Sequence, residues 1–263
     1  MSNWQPDVYL TFEKERTQPS IDLVNRIELD DPKRIIDIGC GPGNSTMILR
    51  SRWPDAEIIG LDNSETMISE ASSKYPDITW LLRDASDDLS DLGTFDLVFS
   101  NAAIHWIPEQ EKLLQKLFGM LKKNGVFAAQ IPNTAHLPFR TEIERLVKSK
   151  RWESFFVGFV PPFSMHSADY YYDILCRLTT RLVLWQTDYY HVMDSHLDIV
   201  KWSSGTALQP YVEHLADDSA VAGFKEEYAL LMKAAYPPQP NGKILFPFSR
   251  VFFVAREVSK SDR

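Results

Sequence analysis

Short apolar runs alternate with longer amphipathic stretches across residues 31–131, and this alternation predicts a βα repeat. Strands are predicted at 34–38, 57–61, 78–82, 95–100 and 125–131, with helices at 44–52, 64–74 and 109–123. Asn63 and Ser64, at the start of the second helix, have the side chains of N-caps. Strands that alternate with helices imply a parallel sheet covered on both faces.

The rhythm changes beyond Pro132. Residues 133–167 carry Pro138, Pro161 and Pro162 among many aromatics and read as an insertion rather than another βα unit. A helix is predicted at 169–178 and strands at 182–192 and 250–256. Helical segments near 195–203 and 219–235 lie between those strands, and the proline-rich 236–240 is a loop. The expected organisation is one domain over 1–263. Its α/β core falls at about 31–132, cap elements at about 133–167 and 194–248, and closing strands at about 182–192 and 250–256.

Composition narrows the function classes. The 263 residues are 44% apolar and 24% charged, which is ordinary globular usage. A net charge of −8 without a cluster of Lys and Arg argues against a nucleic-acid partner. Only Cys40 and Cys176 are present, too few for a disulfide framework and suited to a reducing compartment. The first twenty residues lack a signal-peptide core, and no uncharged apolar run nears the ~18 residues of a membrane span. The expectation is a cytoplasmic protein with no membrane partner.

The candidate chemistry begins at the turn after the first strand, Ile38-Gly39-Cys40-Gly41-Pro42-Gly43-Asn44. Glycines permit positive φ and let a ligand approach the backbone, and the N–H groups of the following helix suit an anionic group. Charge selects the ligand. Asp37 ends the strand where a dinucleotide pyrophosphate would be repelled, and Pro42 removes a backbone donor from any phosphate cradle. S-adenosylmethionine instead brings a sulfonium and an ammonium, which a carboxylate attracts. Asp62, with Asn63 beside it, closes the second strand where an acidic side chain can accept from both ribose hydroxyls. Asp84, followed by Ala85, can accept from an adenine amino group. Asn101 ends the fourth strand beside the expected transferable methyl, and Trp106 can pack on the adenine or methionine portion.

Through Asp37-Ile38-Gly39-Cys40-Gly41-Pro42-Gly43, Asp62, Asp84 and the strand 96–101, the chain resembles the class I S-adenosylmethionine-dependent methyltransferases. Segments Trp4-Gln5-Pro6-Asp7-Val8-Tyr9, Cys40 to Thr46, Tyr170 to Leu175 and Tyr189-Tyr190-His191 are similar to the trans-aconitate 2-methyltransferase family within that class. The resemblance implies a Rossmann-like, doubly wound, mostly parallel seven-stranded sheet with an antiparallel last strand and a small helical cap. It also implies S-adenosyl-L-methionine as cofactor and a monomethyl ester of a small anionic polycarboxylic acid as product.

A carboxylate acceptor is already ionised near neutral pH, so neither a general base, a catalytic triad nor a metal is expected. Its unreacting carboxylates need donors. Candidates are Arg16, in an N-terminal segment expected to close over the cofactor, and Arg250 at the head of the last strand, with Tyr171, Tyr172, Tyr190, His105 and His191. Three alternatives stay open. An amine or phenol acceptor would make His105 or Tyr190 an essential base. A nicotinamide-dependent oxidoreductase is opposed by Asp37 and the glycine spacing. A binding module could retain the cofactor fold without turnover.

Overall fold

The computed structural model describes residues 13–258; the segment 4–9 used above lies outside them. Helix α1 (Glu13–Val24) precedes five βα-type strands: β1 (Arg34–Ile38), β2 (Glu57–Asp62), β3 (Thr79–Leu82), β4 (Phe95–Asn101) and β5 (Leu121–Pro132). Helices α2 (Asn44–Arg52), α3 (Glu65–Lys74) and α4 (Gln110–Gly119) connect them. After α5 (Pro138–Val147) and α6 (Ala168–Leu175) comes β6 (Arg181–Met193). Helices α7 (His196–Ser204), α8 (Gln209–His214) and α9 (Asp218–Ala235) then lead to β7 (Ile244–Arg256).

The sheet order is β3-β2-β1-β4-β5-β7-β6. Strands β1 to β5 pair in parallel, and β7 runs antiparallel to β5. The order reverses between β1 and β4, which is where open α/β sheets bind ligands outside the strands' carboxyl ends. The fold is the expected Rossmann-like seven-stranded sheet. Its central strands are isoleucine- and phenylalanine-rich because helices cover both faces: Ile36, Ile38, Phe95, Val98, Phe127 and Phe253 belong to one buried cluster.

The chain divides into two compact units. The first holds, among the described residues, Lys14–Pro132, Phe163–Thr187 and 250–258. The second holds, among the described residues, Asn133–Pro162 and Asp188–Ser249. Inside the second unit α9 packs on α5 and α7. Buried Tyr228 joins these elements, its hydroxyl donating to the Phe139 carbonyl at 3.0 Å and lying 3.1 Å from Ser203 Oγ.

Several boundaries differ from those predicted. Helix α4 stops at Gly119, not 123, because Leu121 already pairs with Phe95. The register then shifts before Leu97 meets Val126, so Lys122, Lys123 and Asn124 form an irregular stretch of strand, with Asn124 at φ 63°. Helix α6 ends at Leu175, and β7 begins at Ile244, well before 250. The insertion at 133–167 contains α5, opened by Pro138 in the first turn, where a missing N–H costs nothing. Helices α1 and α8 were not anticipated.

Candidate cofactor and substrate site

The glycine turn is fastened to β2, since the N–H groups of Gly39 and Cys40 both donate to the Leu61 carbonyl, at 2.7 and 3.1 Å. Gly39 has φ 70°, and a Cβ there would lie 2.1 Å from the Ala103 Cβ, so the loop after β4 passes directly against the turn. Gly41 has φ 54° and open space on the corresponding side. Gly43 caps α2 without a side-chain bond, and Asn44 is the first helical residue. The Cys40 thiol is buried, and burial together with Asp37 and Asp62 pushes it well above its ordinary range, so it stays neutral.

Asp37 is fully buried. Its Oδ2 accepts hydrogen bonds from Ser45 Oγ at 2.6 Å and Thr46 Oγ1 at 2.7 Å, both offered by the first turn of α2. Burial pushes its carboxyl up to about 6, against the pull of those two hydroxyls. Asp62 binds the turn from the side: Oδ2 accepts the Gly41 N–H and Oδ1 the Ser64 N–H, each at 2.9 Å. Burial raises its carboxyl as well, and each oxygen retains a lone pair for a further donor. Asp84 accepts Asn63 Nδ2 at 2.9 Å and the Ser86 N–H and hydroxyl at 2.7 and 2.6 Å. Partial burial opposes ionisation there, but these bonds prevail and hold the carboxyl below its usual range. Ala85 is buried beside it, its carbonyl accepting from Lys116.

Strand register places further polar groups on one face of the sheet. Asp37 pairs with Phe99, Asn101 with Gln130, and Pro132 with Arg250, so Asp37, Asn101, Gln130 and Arg250 project to the same side. Arg250 Nη1 donates to Gln130 Oε1 at 3.0 Å. Three buried atoms in this row have no hydrogen-bond partner among the described residues: Asp37 Oδ1, Asn101 Oδ1 and Gln130 Nε2. An unsatisfied buried polar group costs about 1–3 kcal/mol, so three in a row mark a place for a ligand rather than a finished core. Beyond Asn101 the chain turns at Ala102, φ 54°, into the short turn Ile104–Trp106. His105 is buried there, its carbonyl accepting the Ser164 N–H at 2.8 Å. The Trp106 ring meets Phe163 edge-on, with centroids 5.3 Å apart.

Among the acceptor-binding candidates, Arg16 is buried on α1 and Arg250 stands in the polar row. Tyr171 is buried in the core, where its hydroxyl donates to Gln110 Oε1 at 2.9 Å and burial pushes its pKa up. Tyr172, the next residue on α6, is exposed. Tyr190 and His191 belong to the second unit. Tyr190 is exposed, and the His191 ring lies 4.6 Å from Trp202 in an aromatic cluster with Phe246 and Phe248. The first unit thus brings together the glycine turn, Asp37, Asp62, Asn101 and Arg250, with Asp84 and Asn63 tied to one another. Among the described residues, no group of three or more His, Cys, Asp or Glu could hold a metal ion, and no helix is long and apolar enough to cross a membrane.

Ser45, Thr46 and Gln130 escaped the sequence reading. The signal for Gln130 is a lone amide in the apolar run Val126 to Ile131, near the carboxyl end of a central strand.

A family described as a methyltransferase domain matches residues 35–125. A trans-aconitate 2-methyltransferase from Rhodopseudomonas palustris is 38% identical over 256 residues, spanning 97% of this chain and 99% of its own. The chain belongs to the trans-aconitate 2-methyltransferase family. An Escherichia coli protein of that name is 36% identical over 98% of this chain and 100% of its own. Among solved structures, the YcgJ protein of Bacillus subtilis superposes with a TM-score of 0.60 at 17% identity, covering 92% of this chain and 99% of that one; this similarity is one of fold.

The protein is therefore an S-adenosylmethionine-dependent methyltransferase. The residues of this methyltransferase fit that cofactor. Acceptor oxygens on Asp37 and Asn101 lack partners where a sulfonium or ammonium would supply attraction, and Gly41 leaves its side of the turn open. Asp62→Ala is expected to weaken S-adenosylhomocysteine binding by about 1–3 kcal/mol, the scale of charged hydrogen bonds. Calorimetric titration checks this, and an unchanged affinity would remove Asp62 from the ligand.

Proposed function

We propose that this methyltransferase transfers a methyl group from S-adenosylmethionine to one carboxylate of a small polycarboxylic acid, trans-aconitate, and releases the monomethyl ester and S-adenosylhomocysteine. The observation that carries this reading is the polar row. It sets the carboxylate and amide oxygens of Asp37 and Asn101 on the same sheet face as the guanidinium of Arg250. One end of the row suits a cation and the other a carboxylate. Full-length similarity to proteins named for trans-aconitate supports the choice of acid.

When bound, S-adenosylmethionine supplies an electrophilic methyl on a positively charged sulfur. Asp37 and Asn101 would balance that cationic portion, Asp62 would accept from the ribose hydroxyls and Asp84 from the adenine amino group, and Trp106 would pack alongside. Arg250 and Arg16 hold carboxylates of the acid that do not react. The reacting carboxylate is ionised at neutral pH, so the residues around it position it and need not remove a proton. Alignment of this kind contributes up to about 7–11 kcal/mol, and exclusion of water assists because opposite charges are neutralised as the reaction proceeds. The net charge of −8 opposes a nucleic-acid partner and means that the donors for the acid must be local, while two cysteines suit the reducing cytoplasm.

The test is incubation with methyl-labelled S-adenosylmethionine and a panel of di- and tricarboxylic acids that includes trans-aconitate and its cis isomer. Base-labile label on trans-aconitate is expected. Intact cofactor binding with no label on any acid would overturn the reading.

A further inference from the structure

The geometry of Gln130 assigns it a part that the family resemblance did not. Its side chain is buried and accepts from Arg250 Nη1 at 3.0 Å through Oε1. A guanidinium carries only donors, so the amide oxygen must face Arg250 and the N–H₂ end must turn the other way. That end, Nε2, is buried and has no hydrogen-bond partner among the described residues. Gln130 pairs in register with Asn101, the residue at the carboxyl end of β4, and so stands between Asn101 and Arg250 on one face.

We propose that Gln130 and Arg250 act together as the carboxylate reader of this site, Gln130 donating through Nε2 while its Oε1 fixes the direction of the guanidinium. Two adjacent donors of this kind match the two oxygens of a carboxylate, as a single arginine does when it binds both through its fork. The carboxylate belongs to the acceptor acid, so the inference rests on the proposed function. A cofactor carboxylate has the same chemistry, and affinity for S-adenosylhomocysteine separates the two sources.

Gln130→Glu is the discriminating variant. A carboxylate at 130 still holds Arg250, and more strongly than an amide, but it turns an acceptor oxygen where Nε2 donates. If Gln130 reads the acid, KM for trans-aconitate rises about thirtyfold or more while affinity for S-adenosylhomocysteine stays within about twofold. Gln130→Met keeps the shape, removes both bonds, and guards against a glutamate variant that fails to fold. Its KM is expected to rise about tenfold with little change in kcat.

A wild-type KM in either folded variant overturns the inference, as does a loss of S-adenosylhomocysteine affinity equal to the rise in KM. Calorimetric binding of trans-aconitate to the wild-type S-adenosylhomocysteine complex distinguishes failure of the function reading. Acid that binds wild type but not the variants, with no methyl transfer, leaves the reader standing and removes the reaction. Acid that neither binds nor reacts with wild type removes both.

Discussion

Gly39→Ala is expected to destabilise the protein by about 2–5 kcal/mol and to abolish measurable S-adenosylhomocysteine binding. Two independent costs meet at this residue. A left-handed backbone at φ 70° costs a residue with Cβ about 1–2 kcal/mol. The added methyl would also lie 2.1 Å from Ala103 Cβ, far inside contact distance, and such overpacking costs about 1–3 kcal/mol. Neither side can yield easily. Gly39 is held by its 2.7 Å bond to Leu61, and Ala103 follows Ala102, which is itself at positive φ and tied to the Gln130 carbonyl at 2.9 Å. Urea denaturation and calorimetric titration measure the two effects. The control is Gly41→Ala, whose methyl would meet nothing within 4 Å. That variant should lose only about 1–2 kcal/mol of stability, from its φ alone. It should still lose at least about tenfold in affinity if the cofactor occupies the open side of the turn, where the methyl would project. A stable Gly39→Ala protein would refute the close approach, and a fully binding Gly41→Ala protein would move the ligand away from the turn.

The core of the sheet was legible because each strand in it is a short apolar run flanked by chain reversals. β1 and α2 have their predicted limits, and β2, β3 and β4 deviate by one residue. Periodicity misled where charge and irregular pairing coincide: Lys122 and Lys123 read as the end of a helix, yet they lie in the bulged start of β5, where Lys122 pairs with Asp96 at 2.8 Å. The cap resisted for another reason. Its segments are held by long-range contacts such as Trp152 Nε1 to Glu227 Oε2 at 2.9 Å, which leave no local pattern.

The candidate site shows the same division. Asp37, Asp62 and the glycines are adjacent to a strand-to-helix turn and could be named from sequence. Gln130 became visible only through its register with Asn101 and Arg250, a relation among three strands. Tyr171 looked like a polar aromatic available to a ligand. Helix phase instead turns it into the core, where Gln110 occupies its hydroxyl, and exposes its neighbour Tyr172.

At pH 7, Asp37→Asn is expected to make the unliganded protein more stable by about 1–3 kcal/mol and to lower affinity for S-adenosylmethionine by at least about tenfold. The two effects share one cause. Asp37 ionises at about 6 in the fold against 3.8 as an ordinary aspartate, because complete burial opposes the charge more than Ser45 and Thr46 favour it, and the charge on Asp62 adds to the opposition. The folded state therefore holds this proton more tightly than the unfolded chain. Its contribution to stability is complete below about pH 4 and is lost as pH rises through about 6, a change of about 3 kcal/mol. An asparagine never acquires the charge, so stability between pH 4 and 7 should fall less steeply in the variant. A residual slope should persist from Asp62, which burial also raises, while the neighbouring Cys40 thiol stays neutral throughout. Cofactor affinity should run the other way in the wild type, increasing from pH 5 to 7 as Asp37 gains the charge that attracts the cationic end of the ligand, and this increase should be reduced in the variant. Urea denaturation and calorimetric titration of both proteins at pH 5 and pH 7 provide these values. A variant less stable than wild type at pH 7 would show that the hydroxyl bonds outweigh the burial cost. Unchanged affinity would place the cationic end of the cofactor elsewhere than beside Asp37.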